Sequence, residues 1–498
     1  MNDDITMPDI TTILRSLGDF LMFQDGSLQF CTLQFLALFV VFFAGYLLIG
    51  QKRRTLMIAY VVVFNLFFAY KVNGLLMLLM PLTTILSWLL TRSIRQADTP
   101  RWRTIWLVAV IVTDLLPLLY FKYTNFFIGT VSALLQTNFP MLDIVLPVGI
   151  SFFTFQAISY SVDVYRNRFK EDVTLLEYSF FMTFFPLLFA GPITRAGTLL
   201  TQLRDKHHLV LQRSVYAGMW LITIGMLKKG LVADYISEYN NWIFEDPMAY
   251  SGFENLVAVL SYTLQIYLDF SGYSDISIGL AALMGFRLRD NFNFPYQSLN
   301  VTEFWHRWHI SLSTWIRDYL YIPLGGNRVG MARRNWNLFI TMVIAGFWHG
   351  SSWMFVIWGA IHGAALVFHK LMKPVLERIP DNRFVRIVSC ALTFLFVAVA
   401  WVFFRADSLP TVMNIFTRIA TDFSWDYAMP FFSARTLLSL LLIVSYAMLF
   451  IHDRTYRLLE RMFIESPWLM KLILLVCTIQ LLINFSTGNI QPFIYSQF

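Results

Sequence analysis

The chain has 498 residues, 57% of them hydrophobic, 17% aromatic and only 14% charged, with a net charge of +7. A soluble globular protein carries about a quarter of its residues as charges, so a water-soluble enzyme is excluded and an all-α, polytopic membrane protein is expected, each span satisfying its own backbone. The basic residues lie in loops between apolar runs, where they report orientation, and they argue for no nucleic-acid partner.

Residues 1–29 mix acids (Asp3, Asp4, Asp9, Asp19) into moderately apolar sequence and lack the basic start and short apolar core of a cleavable signal peptide. Within them, 9–23 fits a short amphipathic helix lying on the membrane surface, outside the cell. A single membrane domain is expected over 30–485, followed by an external tail, 486–498. Spans are predicted at about 30–49, 55–70, 75–91, 104–121, 146–163, 215–233, 256–274, 336–349, 353–369, 387–404, 436–451 and 470–485, about 11–12 transmembrane helices. Lys52-Arg53-Arg54 puts the first loop in the cytoplasm, and alternation then places Arg92, Arg95, Arg101 and Arg103 inside as well. The acidic stretch 237–254 falls outside, Lys370 to Arg386 inside, and both termini external. Residues 177–192 end in Gly191-Pro192, which breaks a helix and suggests a re-entrant segment. Residues 287–334 carry seven arginines and belong largely to the cytoplasmic side. No internal repeat is evident, which disfavours inverted-repeat transporter folds. Cys31, Cys390 and Cys477 sit in or beside apolar runs without metal or redox spacing and are read as packing residues.

Three polar features stand out against this background. Gln265, Asp269 and Tyr273 recur at intervals of four on one face of a predicted span, with Asp275 on another side. They form either an internal staple fixing helix register or the lining of a polar path. Glu303–Leu320 is predicted as one helix, with Trp305, Trp308 and His309 on a common face and His306 elsewhere, so His309 is the histidine turned inward, as a structural or a catalytic imidazole. His349 lies about 14 residues into its apolar run, roughly 20 Å of helix and short of the ~30 Å hydrocarbon thickness. Gly350 and Ser351-Ser352 follow, so the chain is expected to turn within the membrane there and return. An ionisable side chain at that depth is costly without a partner, which makes His349 the leading functional candidate.

An imidazole in an apolar, tryptophan-rich pocket stays neutral near pH 7 and is available as a base. Acyl transfer needs such a base and donors for a tetrahedral oxyanion, for which His309 or indole N–H groups are candidates. No Gly-x-Ser-x-Gly elbow is present, and Ser351 and Ser352 serve equally well as helix caps. A metal held by His306, His309 and His349 lacks an acidic ligand at a diagnostic spacing. A transporter with a His349, Asp269 and Asp275 proton relay stays open.

Glu303-Phe304-Trp305-His306-Arg307-Trp308-His309-Ile310-Ser311-Leu312-Ser313, continuing through Trp315-Ile316-Arg317-Asp318-Tyr319 to Gly325-Gly326, resembles the signature of the membrane-bound O-acyltransferase family. Within it the match is to the bacterial branch holding alginate O-acetylases and teichoic-acid D-alanyl transfer proteins. Gly346-Phe347-Trp348-His349-Gly350 resembles the branch's second motif, and 146–156, 190–193, 227–229 and 269–275 also match. The resemblance implies a ring of helices around a central tunnel, His349 as the catalytic histidine and His309 as its companion. It makes Trp305, Trp308, Trp348, Asp269, Asp275, Gln265 and Ser351 expected tunnel or supporting residues. Lys228, Lys229, Arg307 and Arg317 would meet the anionic donor. That donor would be acetyl-CoA or an acyl carrier protein thioester reaching the tunnel from the cytoplasm, with no tightly bound cofactor or metal. The C-terminal Pro492-Phe493-Ile494-Tyr495 resembles a terminal motif whose tyrosine transiently accepts the acyl group, and the branch implies a separate extracytoplasmic esterase-like acetyltransferase partner. The bacterial cytoplasmic membrane is the expected location, and the built-in C-terminal motif favours the alginate O-acetylase type.

Overall fold

The computed structural model describes residues 28–50, 53–205 and 210–485. Most of the expected N-terminal segment and the tail with Tyr495 lie outside the described residues. Those described are helical, with no strand among them. The helices begin with α1 (Leu33–Ile49), α2 (Arg54–Asn73), α3 (Leu79–Gln96), α4 (Pro100–Leu118), α5 (Thr124–Leu135), α6 (Ile150–Tyr165) and α7 (Leu175–Thr183). There follow α8 (Ala196–Arg204), α9 (Gln212–Met226), α10 (Asp234–Glu245), α11 (Gly252–Leu283), α12 (Val301–Arg307), α13 (Ile310–Ile316) and α14 (Met331–His349). The chain ends in α15 (Trp353–Leu376), α16 (Arg383–Arg405), α17 (Leu409–Thr421), α18 (Ala428–Ala434), α19 (Thr436–Leu449), α20 (Asp453–Glu465) and α21 (Trp468–Phe485).

Among the described residues, six helical stretches are long and apolar enough to cross a membrane, and a seventh if α18 and α19, bent by 105°, make one broken span. The protein is therefore a multi-pass, all-α membrane protein. The number falls short of the twelve predicted runs for identifiable reasons. The runs at 55–70 and 75–91 join through the 3-10 turn Gly74–Leu78 into one stretch, Arg54–Gln96. Others, such as Leu33–Ile49, are shorter than a full crossing. The segment suspected of re-entry is α7 followed by a 3-10 turn, Phe185–Leu187, and then irregular chain.

The described residues divide into two compact units, one drawn from 28–115 and 145–188 and the other from 116–144 and 189–485. The first is organised on Phe185, whose buried ring meets those of Phe35, Phe39, Phe42, Phe64 and Phe68 at 5.1–6.2 Å. The irregular backbone that carries Phe185 needs polar partners. Buried Asn65 supplies them: its Oδ1 accepts from Phe185 N at 3.2 Å and its Nδ2 donates to Thr183 Oγ1 at 3.1 Å.

In the second unit α9 and α11 lie antiparallel at backbone contact. A Cβ on Gly272 would fall 2.7 Å from the Gly225 carbonyl oxygen, and one on Gly279 2.7 Å from that of Gly218. The seven-residue spacing on both helices keeps the two contacts on one seam. α11 begins with a capping box, Ser251 and Glu254, each side chain bonding the other's backbone N–H. Where α9 runs into α10 through a π-helical turn, Leu227–Ala233, two lysines face acids. Lys229 Nζ stands 2.6 Å from Asp234 and 2.5 Å from Asp269, and Lys228 Nζ 2.7 Å from Asp275.

The Lys229 pair is almost fully buried, so removing one partner exposes the other's desolvation cost. Lys229→Met is expected to destabilise the protein by about 3–5 kcal/mol, read as a lower melting temperature in detergent. Melting like the wild type would show that the ion pair does not join α10 and α11.

Candidate active site

α14 ends at His349 because Gly350 leaves helical backbone, at φ −159° and ψ 153°, and the returning helix α15 starts on the side-chain cap of Ser352, whose Oγ accepts from Met354 N at 3.2 Å. The predicted turn at 349–352 is thus present. The two helices touch closely: a Cβ on Gly359 would lie 2.5 Å from the Met342 carbonyl oxygen. A helix ending in an apolar interior leaves its last carbonyls needing donors. Here they come from the π-helical turn Leu119–Tyr123. Lys122 Nζ donates to the carbonyl oxygens of Trp348 and His349 at 2.8 and 2.9 Å, and Tyr123 Oη to that of Phe347 at 3.0 Å. The ammonium also answers the negative end of the α14 dipole.

The His349 ring is 3% exposed. It is edge-on to Trp358 at 5.2 Å and 89°, with Trp348 at 5.0 Å and Phe404 at 5.4 Å. Its centroid lies 6.5 Å from that of His309, which is fully buried.

The expected helix Glu303–Leu320 is interrupted. α12 stops at Arg307, His309 takes the left-handed conformation (φ 43°, ψ 54°), and α13 starts at Ile310. The cause lies in a distant segment. Asn291 O accepts from Ile310 N at 2.9 Å, and Asn291 Oδ1 accepts from Ser311 N at 3.2 Å and from Ser311 Oγ at 2.8 Å. Asn291 thereby serves α13 as a remote N-cap, and periodicity cannot reveal it. The same Oδ1 lies 3.1 Å from His309 Nδ1. With Nδ1–H as the donor, the lone pair is on Nε2. A buried non-glycine residue at positive φ is costly and clusters at functional sites. His306, by contrast, is exposed.

Of the other expected site residues, Trp305, Trp308 and Trp348 are buried; Trp348 lies 5.0 Å from His349 and 6.3 Å from His309, Trp305 packs on Trp358 and Trp308 stacks on Phe304 at 5.5 Å, and Ser351 is partly buried at the turn. Gln265 accepts from Asn240 Nδ2 at 2.6 Å, while Asp269 and Asp275 hold the lysines described above. Those contacts are helix-to-helix pairings, which favours the staple over the polar path. Lys228 and Lys229, expected to meet an anionic donor, have their ammonium groups paired with carboxylates. Arg307 pairs with Glu303 at 2.7 Å, and Arg317 with Asp318 at 2.8 Å on a more open surface. No group of three or more His, Cys, Asp or Glu among the described residues is placed to hold a metal. Sequence reasoning missed Lys122, Asn291 and His362, a third fully buried histidine, on α15. Each is a lone polar residue, and only for Lys122 and His362 does a costly position in an apolar run give a signal.

A cavity of about 240 Å³ opens beside this cluster, lined by Trp305, Ile316, Arg317, Met342, Ala345 and Leu366 among others. Hydrogen bonds to a charged group contribute about 1.5–3 kcal/mol each. Lys122→Met is therefore expected to raise amide exchange in the last turn of α14 at least tenfold. Unchanged protection over 343–350 would mean that Lys122 does not secure this helix end.

The pattern of MBOAT, the membrane-bound O-acyltransferase family, matches residues 101–409. The chain is 37% identical to a probable alginate O-acetylase of Pseudomonas aeruginosa over 397 residues, 79% of this chain and 75% of the relative. It is 35% identical to a peptidoglycan O-acetyltransferase of Helicobacter pylori over 66% of this chain and 67% of that one. A teichoic acid D-alanyltransferase of Bacillus subtilis is more distant, 27% identical over 59% of this chain and 76% of its own. With its helical membrane architecture and the motif residues gathered around two buried histidines, the chain belongs to the membrane-bound O-acyltransferase family and is an O-acyltransferase.

Proposed function

We propose that this enzyme transfers an acyl group, acetyl, from a cytoplasmic thioester to a hydroxyl of a polysaccharide outside the cell, with His349 as the base. The observation that carries the reading is the setting of His349: an imidazole at a capped helix end, ringed by aromatic side chains and 6.5 Å from His309. His349 takes the proton of the attacking hydroxyl, the C–O bond forms as the carbonyl becomes an oxyanion, and the C–S bond then breaks. The proton passes to the departing thiolate. The indole N–H groups nearby are candidate donors to the oxyanion, whereas His309, whose Nδ1–H is taken by Asn291, is left an acceptor through Nε2. The polysaccharide acceptor draws support from relatives named for alginate and for peptidoglycan.

The donor is acetyl-CoA or an acyl carrier protein, and the exposed Arg317, which lines the cavity, takes its anionic part. The basic loops support placement in the bacterial cytoplasmic membrane with both termini outside. In that orientation Tyr495 would hold the acyl group until an extracytoplasmic esterase-like acetyltransferase takes it.

His349→Ala is expected to lower ester content of the cell-surface glycan, read by mass spectrometry, by at least a hundredfold while the protein inserts normally. Wild-type ester content would remove the base from His349. Tyr495→Phe, which removes the phenolic oxygen that would hold the acyl group, is expected to stop delivery to the polymer and thioester consumption with it. Full delivery by that variant would leave the tail as a simple interfacial anchor.

A further inference from the structure

On α14, Leu338, Met342, Ala345 and His349 recur every three or four residues and share one face. The first three line the 240 Å³ cavity, so it lies on the His349 side of the helix. On α15, Leu366, another lining residue, continues the stripe of His362 and Trp358. Trp305 joins the two regions. It lines the cavity, and its ring packs on Trp358 at 5.8 Å and on His362 at 5.1 Å, while Trp358 is itself edge-on to His349.

His362 is fully buried among aromatic rings, including Phe304, Trp358 and Phe396. A phenyl ring would fill that space without the cost of desolvating an imidazole. What the imidazole adds is an acceptor: Trp305 Nε1–H donates to His362 Nδ1 at 3.3 Å. That bond fixes the orientation of an indole that lines the cavity. The cavity is small, below the roughly 300–1,000 Å³ of sites for drug-sized ligands, and among its lining residues the apolar Trp305, Met342, Ala345 and Leu366 are buried while His306 and Arg317 are exposed.

We propose that Trp305, held in place by His362, is the end wall of the cavity that receives the donor's acyl group, and that this wall restricts the enzyme to short acyl chains. His362 is then a positioning residue acting through Trp305. The proposal rests on the acyl-transfer reading above.

The test measures kcat/KM of the purified full-length enzyme with acetyl-, butyryl- and octanoyl-coenzyme A, repeated with the same acyl groups on a phosphopantetheinyl carrier protein. Trp305→Leu is expected to raise the octanoyl-to-acetyl ratio at least tenfold. His362→Phe, which keeps the volume and removes the acceptor, moves the ratio the same way by a smaller factor, and His362→Gln, which keeps an acceptor, reverses part of that change. A ratio within twofold of wild type in folded Trp305→Leu overturns the end wall. Should that variant not fold, Trp305→Phe and His362→Phe decide by the same ratio. A wild-type enzyme that consumes neither kind of thioester contradicts the acyl-transfer reading instead.

Discussion

A helix that stops inside an apolar interior leaves its final carbonyls without intrahelical partners, and at Phe347, Trp348 and His349 those carbonyls are met by Lys122 and Tyr123. The aromatic shell packs edge-on against the His349 ring, but it supplies no donor to those carbonyls. The cap fixes where α14 ends. The polar start of α15 at Ser352 fixes where the chain returns, and the close contact at Gly359 sets how near the two helices lie. His349 is thereby delivered to one place, against Trp358 and opposite His309.

His309 reaches that place by a different route. Its own helix is cut so that the imidazole is carried on a left-handed residue, and Asn291 serves both the first N–H groups of α13 and the imidazole nitrogen. Two histidines from helices of opposite termination, one at a C-terminal end and one before an N-terminal end, thus face each other across 6.5 Å. π-helical turns recur at the same structural joints. Leu119–Tyr123 presents the cap, Leu227–Ala233 presents the two lysines, and Arg317–Tyr321 follows α13 beside the cavity. Each widens a helix locally and redirects polar side chains, a use to which such turns are often put near functional sites.

Much of this was legible in the residues. Apolar runs located most helices within a few positions, since a span must be apolar throughout to sit in hydrocarbon. The turn at 349–352 followed from His349-Gly350-Ser351-Ser352, and the inward side of His309 followed from periodicity although the continuous helix assumed for it was wrong. The lysines show the opposite case. Nothing in the residues showed which acids Lys228 and Lys229 meet, yet Asp234, Asp269 and Asp275 pair with them, because a bare ammonium inside the bundle is costly.

The sequence by itself determined the class of protein, the run of helices, the family motifs and the two histidines on which the chemistry is proposed to rest. These depend on composition, local periodicity and short motifs, all carried by neighbouring residues. Only the tertiary structure decided that Lys122 caps α14, that Asn291 splits the helix around His309, and that His362 holds Trp305. Each of those is a single hydrogen-bonding side chain reaching a partner 18 to more than 200 positions away. Such pairings leave no local pattern, and which of many lone polar residues is satisfied by which is settled only when the helices pack.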